Sequence, residues 1–226
     1  VMQMQGEGPV TLVVVEVTSE GTLRATASWD GELVPGPLKS LVGGGRFVIS
    51  LVPKDGSQSY QGVVDMSGDS MASVLEHYMR SSEQLDTRLW LACDGRQAGG
   101  MLLQKLPSGP ESDLDAWNRV IHLGSTLSAE ELLSVPAREI IRRLFHEEDV
   151  RVFEATPMSF RCSCSRERVT GMLRMLGRDE VRSILAERGK IEVTCEFCRK
   201  RYVLDSVDAE QVFAAQIQTQ AGSTRH

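Results

Sequence analysis

Apolar, β-branched runs broken by polar turn residues mark the first part of the chain. "VTLVVVEV" (Val10–Val17), "TLRATAS" (Thr22–Ser28), "RFVISLV" (Arg46–Val52) and "YQGVVDM" (Tyr60–Met66) are rich in β-branched residues and separated by Gly and Asp turn signals, so each predicts a strand. Val1 leads directly into a similar run, which suggests that the numbering starts partway through a longer natural chain. From Ser70 to Gln84 the period changes: Met71, Val74, Leu75, Tyr78 and Met79 recur at helical spacing. Two more strands are predicted over Thr87–Cys93 and Gly99–Gln104. Residues 1–106 therefore read as an α+β N-terminal domain, a β-sheet with packed helices.

The pattern breaks at "LPSGPESD" (Leu106–Asp113), where Ser112 or Asp113 is placed to cap a helix. Trp117, Val120 and Ile121 then fall on one stripe. "SAEELLSV" adds Leu132 and Leu133, and "PAREIIRRLFHEEDV" adds Ile140, Ile141, Leu144 and Phe145 behind Pro136 at a first-turn position. Residues 107–155 predict an amphipathic helical linker. Periodicity alone does not say whether its apolar face is docked.

The last part, residues 156–226, predicts two short helices, a hairpin and a final helix. Ser165 can cap the first helix, with Val169, Met172 and Leu173 on one face and Gly177 as a stop; Val181, Ile184 and Leu185 follow, with Gly189 as a second stop. "KIEVTCEFCRKRYVLD" alternates Ile191 and Val193, turns at Cys195–Cys198, and returns through Tyr202 and Leu204. "DAEQVFAAQI" predicts the final helix, and the tail beyond it should fray.

Composition narrows the classes. The 226 residues carry a formal charge of −6, which argues against a chain-wide nucleic-acid surface. No apolar run reaches the roughly 18 residues of a membrane span, and no secretory signal opens the chain. A cytoplasmic protein with no membrane partner is expected. Five cysteines, four of them clustered late, do not resemble a secreted disulfide framework.

The clustered four are Cys162 and Cys164 (C-x-C), then about thirty residues, then Cys195 and Cys198 (C-x-x-C). Thiols at i and i+2 of an extended chain point the same way, and a C-x-x-C at a hairpin turn is a common zinc knuckle. Four thiolates would close a tetrahedral shell around one Zn2+, leaving no open position for catalysis. Arg161, Arg166, Arg168, Arg199, Lys200 and Arg201 flank them and favour thiolate over thiol. An oxidant can take such ligands pairwise, ejecting the metal and leaving Cys162–Cys164 and Cys195–Cys198 disulfides. An inert structural ribbon and a redox switch both remain open on spacing alone. Cys93 lies apart and reads as a half-buried structural thiol.

"CSCSRERV" followed by "ILAERGKIEVTCEFC" resembles the zinc module of the heat shock protein 33 family of redox-regulated holdase chaperones. "GEGP" (Gly6–Pro9), Tyr60–Ala92, "AGGMLLQKLP" (Ala98–Pro107) and "LFHEEDVRVFE" (Leu144–Glu154) resemble the family in the same order, so the likeness covers nearly the whole chain. Family members carry a substantial segment before the "GEGP"-like block that is missing here, and the "LACDGRQAGG" connection is short. The resemblance implies metal ligation by Cys162, Cys164, Cys195 and Cys198, with an inactive reduced zinc form. It also implies oxidative activation with loss of zinc and unfolding of the module, ATP-independent holding of unfolding client proteins, and a homodimer on activation. Trp117, Val120, Ile121, Leu132, Leu133, Ile140, Ile141, Leu144 and Phe145 are candidates for the client-binding face. They should be ordinary core residues while the chain is reduced.

Two other classes compete. Residues 161–205 hold eleven basic and seven acidic side chains, so a nucleic-acid-binding zinc ribbon is the alternative. The interleaved acids and the acidic whole argue against it. A thiol oxidoreductase would place its C-x-x-C at a helix start near a βαβ unit, not at a hairpin turn. His77, His122 and His146 form no HExxH, and "VGGGRF" lacks the Lys-Ser/Thr of a phosphate loop, so no catalytic residue is assigned and no enzyme activity is expected.

Overall fold

The computed structural model describes residues 1–106 and 115–222. Along the chain run β1 (Met2–Gly6), β2 (Val10–Val17), β3 (Thr22–Trp29), α1 (Leu38–Val42), β4 (Gly45–Leu51), β5 (Tyr60–Asp65), α2 (Met71–Ser81), β6 (Thr87–Cys93) and β7 (Ala98–Gln104). Then follow α3 (Ala116–Gly124), α4 (Ala129–Ser134), α5 (Ala137–Phe145), β8 (Ser159–Phe160), α6 (Arg166–Leu176), α7 (Arg178–Arg188), β9 (Ile191–Thr194), β10 (Arg201–Leu204) and α8 (Ser206–Gly222). The α+β class expected from the sequence is the one observed. The expected cap at Ser112 or Asp113 lies outside the described residues.

The chain divides into two compact units. One is Val1–Val17 with Ala27–Pro157; the other is Thr18–Thr26 with Met158–His226. The division falls inside β3.

In the first unit four antiparallel strands lie in the order β5-β4-β1-β2. Their alternation sends Met4, Phe47 and Val64 inward, opposite one another in register. α2 covers them with Val74 and Tyr78, which are 0% and 1% exposed, and the Tyr78 ring meets Phe47 edge-on at 6.2 Å. Ser70 starts this helix through a capping box with Ser73. α1 was not foreseen: five residues after Pro37 are too few to show a period. Glu7 and Gly8 both donate their backbone N–H to Val42 O at 2.8 Å. A Cβ on Gly8 would lie 2.7 Å from Gly43 N, so glycine is needed where these two loops touch.

β6 and β7 form a separate hairpin. The short connection noted in the sequence is a tight turn, held by Asp94 Oδ1 accepting from Arg96 N and Gln97 N, both at 2.8 Å. Cys93 ends β6 and is exposed, not half-buried; alternation places it on the same outer face as exposed Leu91. α2 and α4 pack on this hairpin. α4 opens with a Ser128–Glu131 capping box and is tied to α5 by Arg143–Glu131 at 2.5 Å. His77, His122 and His146 are all exposed.

The second unit has its own small core: Val169, Leu173, Val181, Ile191, Tyr202, Leu204, Ala209 and Phe213. Ser165 caps α6 by accepting from Arg168 N, as expected. Gly177 and Gly189 end the two helices with φ of 96° and 72°. β9 and β10 form the predicted hairpin. α8 begins two residues earlier than expected and continues to Gly222, over part of the stretch expected to fray.

Candidate metal centre

Two local structures bring the late cysteines together. On one side β8 pairs in parallel with the start of β3, Ser159 N donating to Gly21 O at 2.9 Å and Arg161 N to Leu23 O at 3.0 Å. This fixes the chain just before Cys162. Sequence periodicity missed β8 because a two-residue strand has no period. Past Cys164, the Ser165 cap commits the chain to α6. On the other side β9 and β10 enclose the C-x-x-C turn. Cys195 N donates to Lys200 O at 2.9 Å and Arg199 N to Cys195 O at 2.8 Å, with Arg199 in the left-handed region at φ 59°.

The sulfurs of Cys162, Cys164, Cys195 and Cys198 all lie within 4.8 Å of one another. Cys162 Sγ and Cys195 Sγ are 3.6 Å apart, and Cys164 Sγ and Cys198 Sγ 3.3 Å. These are not bonds, since a disulfide is about 2.05 Å long, and all four thiols are free. A tetrahedral ion with ~2.3 Å bonds to sulfur would space its ligands ~3.8 Å apart, so the cluster has the size and the donors to hold one metal ion.

Protons are distributed unevenly over the quartet. The Cys164 backbone N–H donates to Cys162 and, with sulfur neighbours and Arg24, holds the Cys162 thiol down to about 6. The Lys200 N–H pulls Cys198 the same way, but its bonds to Cys164, Cys162 and Cys195, together with burial, outweigh it and push Cys198 up to about 12. Negative charge accumulated on adjacent sulfurs opposes further ionisation. A bound cation would lift that opposition.

Side chains that the sequence did not single out surround the sulfurs. The Tyr202 hydroxyl donates to Cys164 Sγ at 3.2 Å, and this bond pushes the phenol up to about 12. Alternation had put Tyr202 inward with Leu204; its partner was not legible. Arg24 Nη1 lies 3.8 Å from Cys162 Sγ, and its guanidinium stacks 4.0 Å from the centroid of the Phe197 ring. Thr26 Oγ1 donates to Glu196 O at 3.2 Å. Nothing in a local pattern links Arg24 to cysteines 138 positions away. Of the flanking cations expected to act on the thiols, Arg166 pairs with Asp208 at 2.6 Å, Arg168 bonds Ser163 Oγ at 2.7 Å, Arg201 faces Glu192 at 3.7 Å and Lys200 lies 5.3 Å from the centroid of the Tyr202 ring.

The candidate client-binding residues all lie in the first unit. Ile140 and Phe145 are buried; Trp117, Val120, Ile121, Leu132, Leu133, Ile141 and Leu144 are half-buried. None is exposed.

A sequence profile described as "Hsp33 protein" matches residues 1–205. The chain belongs to the Hsp33 family. The 33 kDa chaperonin of Methylobacillus flagellatus is 52% identical over 227 residues, spanning 100% of this chain and 78% of that protein. That of Chromobacterium violaceum is 50% identical over 228 residues, spanning 100% and 77%. The crystal structure of the 33 kDa chaperonin of Thermotoga maritima superposes with a TM-score of 0.79 at 23% identity, covering 96% of this chain and 78% of that one, which shows a shared fold. This is a chaperone family, and the cysteine cluster is compatible with zinc and with redox regulation. Among the described residues no helix is long and apolar enough to cross a membrane.

Proposed function

We propose that this Hsp33-family chain is a redox-regulated, ATP-independent holdase of the cytoplasm rather than an enzyme. In the reduced state Cys162, Cys164, Cys195 and Cys198 hold one Zn2+. The observation that carries this reading is the sulfur quartet, whose spacing and all-thiolate chemistry suit zinc. The ion, when bound, supplies a closed tetrahedral crosslink. A core of eight buried side chains gives a unit of this size only marginal stability, so the crosslink is a large share of what keeps it folded.

Activation follows from loss of that crosslink. Four thiolates give up four electrons to two peroxide molecules. In each pair one sulfur attacks a peroxide oxygen and expels hydroxide; its neighbour then displaces the second hydroxide and closes the S–S bond. The proposed pairs are Cys162–Cys164 and Cys195–Cys198. The second unit then unfolds and loosens residues 107–155, a separate linker between the parts spanning 1–106 and 156–226. Its apolar face, Trp117, Val120, Ile121, Leu132, Leu133, Ile140, Ile141, Leu144 and Phe145, becomes available to unfolding proteins, and the activated chain pairs into a homodimer. The burial of these residues supports an inactive reduced state.

Metal analysis and client light scattering test the reading together. The reduced chain should carry about one zinc, in line with a four-thiolate site, and fail to suppress aggregation of a heat-unfolded client. Peroxide at elevated temperature should release the zinc and switch suppression on. Equal suppression before and after would overturn it. Peptide mapping of the oxidised chain decides the disulfide pairs, and crosswise Cys162–Cys195 and Cys164–Cys198 bonds would overturn the proposed ones.

A further inference from the structure

The quartet does not stand on residues 158–226 alone. Nine residues, Thr18–Thr26, leave the first unit and belong to the second, with both ends of the excursion covalently fixed in the first. They touch the cysteine module on both of its halves. β3 pairs with β8 directly ahead of Cys162, and Thr26 holds the carbonyl of Glu196 inside the C-x-x-C turn. Arg24 joins the two halves: its Nη1 lies 3.8 Å from Cys162 Sγ, while its Cζ sits over the ring of Phe197, the residue before Cys198.

We propose that Arg24 is a positioning residue of the four-cysteine centre, a clamp that sets how readily oxidant displaces the metal. This rests on the zinc reading above. An N–H directed at a metal-bound sulfur withdraws charge from it and lowers its nucleophilicity toward peroxide. Stacking on Phe197 fixes the guanidinium plane, so the donor is held in place and covers that side of the sulfur. Lysine would bring charge without the flat stack. The role extends the candidate metal site to a residue of β3 that no cysteine motif contains.

The test uses the whole reduced, zinc-loaded chain and reads zinc appearing on a chromogenic chelator, with and without a fixed dose of peroxide. A metal count comes first: a parent without zinc would sink the metal reading, and this inference with it. With zinc present, Arg24→Met and Phe197→Leu should each speed peroxide-driven release about tenfold, the size of effect seen when outer partners of metal ligands are removed. Arg24→Lys should behave like Arg24→Met. The double variant should be no faster than either single, because both break the same stack. Arg182→Gln, which loses its bonds to Glu210 in the same unit, should match the parent. Far-UV dichroism confirms that each zinc-loaded variant is folded; if Arg24→Met does not fold, Phe197→Leu and Arg24→Lys carry the comparison. Rates within about twofold of the parent, or single effects that simply multiply in the double variant, overturn the proposal.

Discussion

Tyr202 places its hydroxyl 3.2 Å from Cys164 Sγ while its ring fills the core of the second unit. One side chain thus serves packing and the sulfur cluster at once. Tyr202→Phe keeps the ring and deletes only the bond to sulfur. Zinc affinity should fall by about tenfold with little change in secondary structure. Competition against a chelator of known affinity measures it; unchanged affinity would show that the hydroxyl is a bystander.

Cys164 also packs against that core, so its loss strikes the sulfur cluster and the fold together. Cys164→Ser should abolish stoichiometric zinc and melt the second unit, while the first, with its separate core around Phe47 and Tyr78, keeps its own transition. Metal analysis and thermal dichroism check this. A variant that retains one zinc and the parent melting curve would contradict it.

Acid should loosen the α4–α5 corner. The Ser128 backbone N–H, Arg143 and the Ser128 hydroxyl hold the Glu131 carboxyl down from 4.5 to about 2. A carboxyl depressed on folding stabilises fully above its unfolded value, and that stabilisation is lost as pH falls through the folded one. The loss therefore spans about pH 4.5 to about 2. Glu131→Gln should lower the melting temperature at pH 7 and flatten its decline across that window. A wild-type curve level from pH 5 to pH 2 would rule the mechanism out.

Gly62 sits under the Tyr78 ring. A Cβ there would lie 2.6 Å from the hydroxyl oxygen and 2.7 Å from a ring carbon, and Tyr78 is too buried to swing away. Gly62→Ala should destabilise the first unit by about 1–3 kcal/mol, the usual cost of overpacking. Urea unfolding followed by tryptophan fluorescence measures it, and an unchanged midpoint would mean that the ring yields freely.

Much of this was legible in the residues. The regular strands and helices announced themselves through their composition and their burial: buried Gly62 and Val64 alternate with exposed neighbours in β5, and Val74 and Tyr78 are one helical turn apart. The thiol motifs survive as short fixed spacings, so the quartet could be read directly. Three kinds of feature left no local trace. α1 and β8 are too short to carry a period. Cys93 ends a strand whose outer face depends on how the hairpin is packed. Arg24 and Tyr202 reach the sulfurs only through tertiary structure, and in the case of Arg24 the pairing spans most of the chain.

The excursion of residues 18–26 into the second unit makes that unit discontinuous in sequence. A fragment cut at Met158 would contain all four clustered cysteines yet leave behind the strand that β8 pairs with. The four-cysteine cluster is thus no portable cassette. Grafting it onto another protein would require transplanting two pieces of polypeptide, and gene rearrangements that shuffle contiguous exons or segments would sever it from part of its own scaffold.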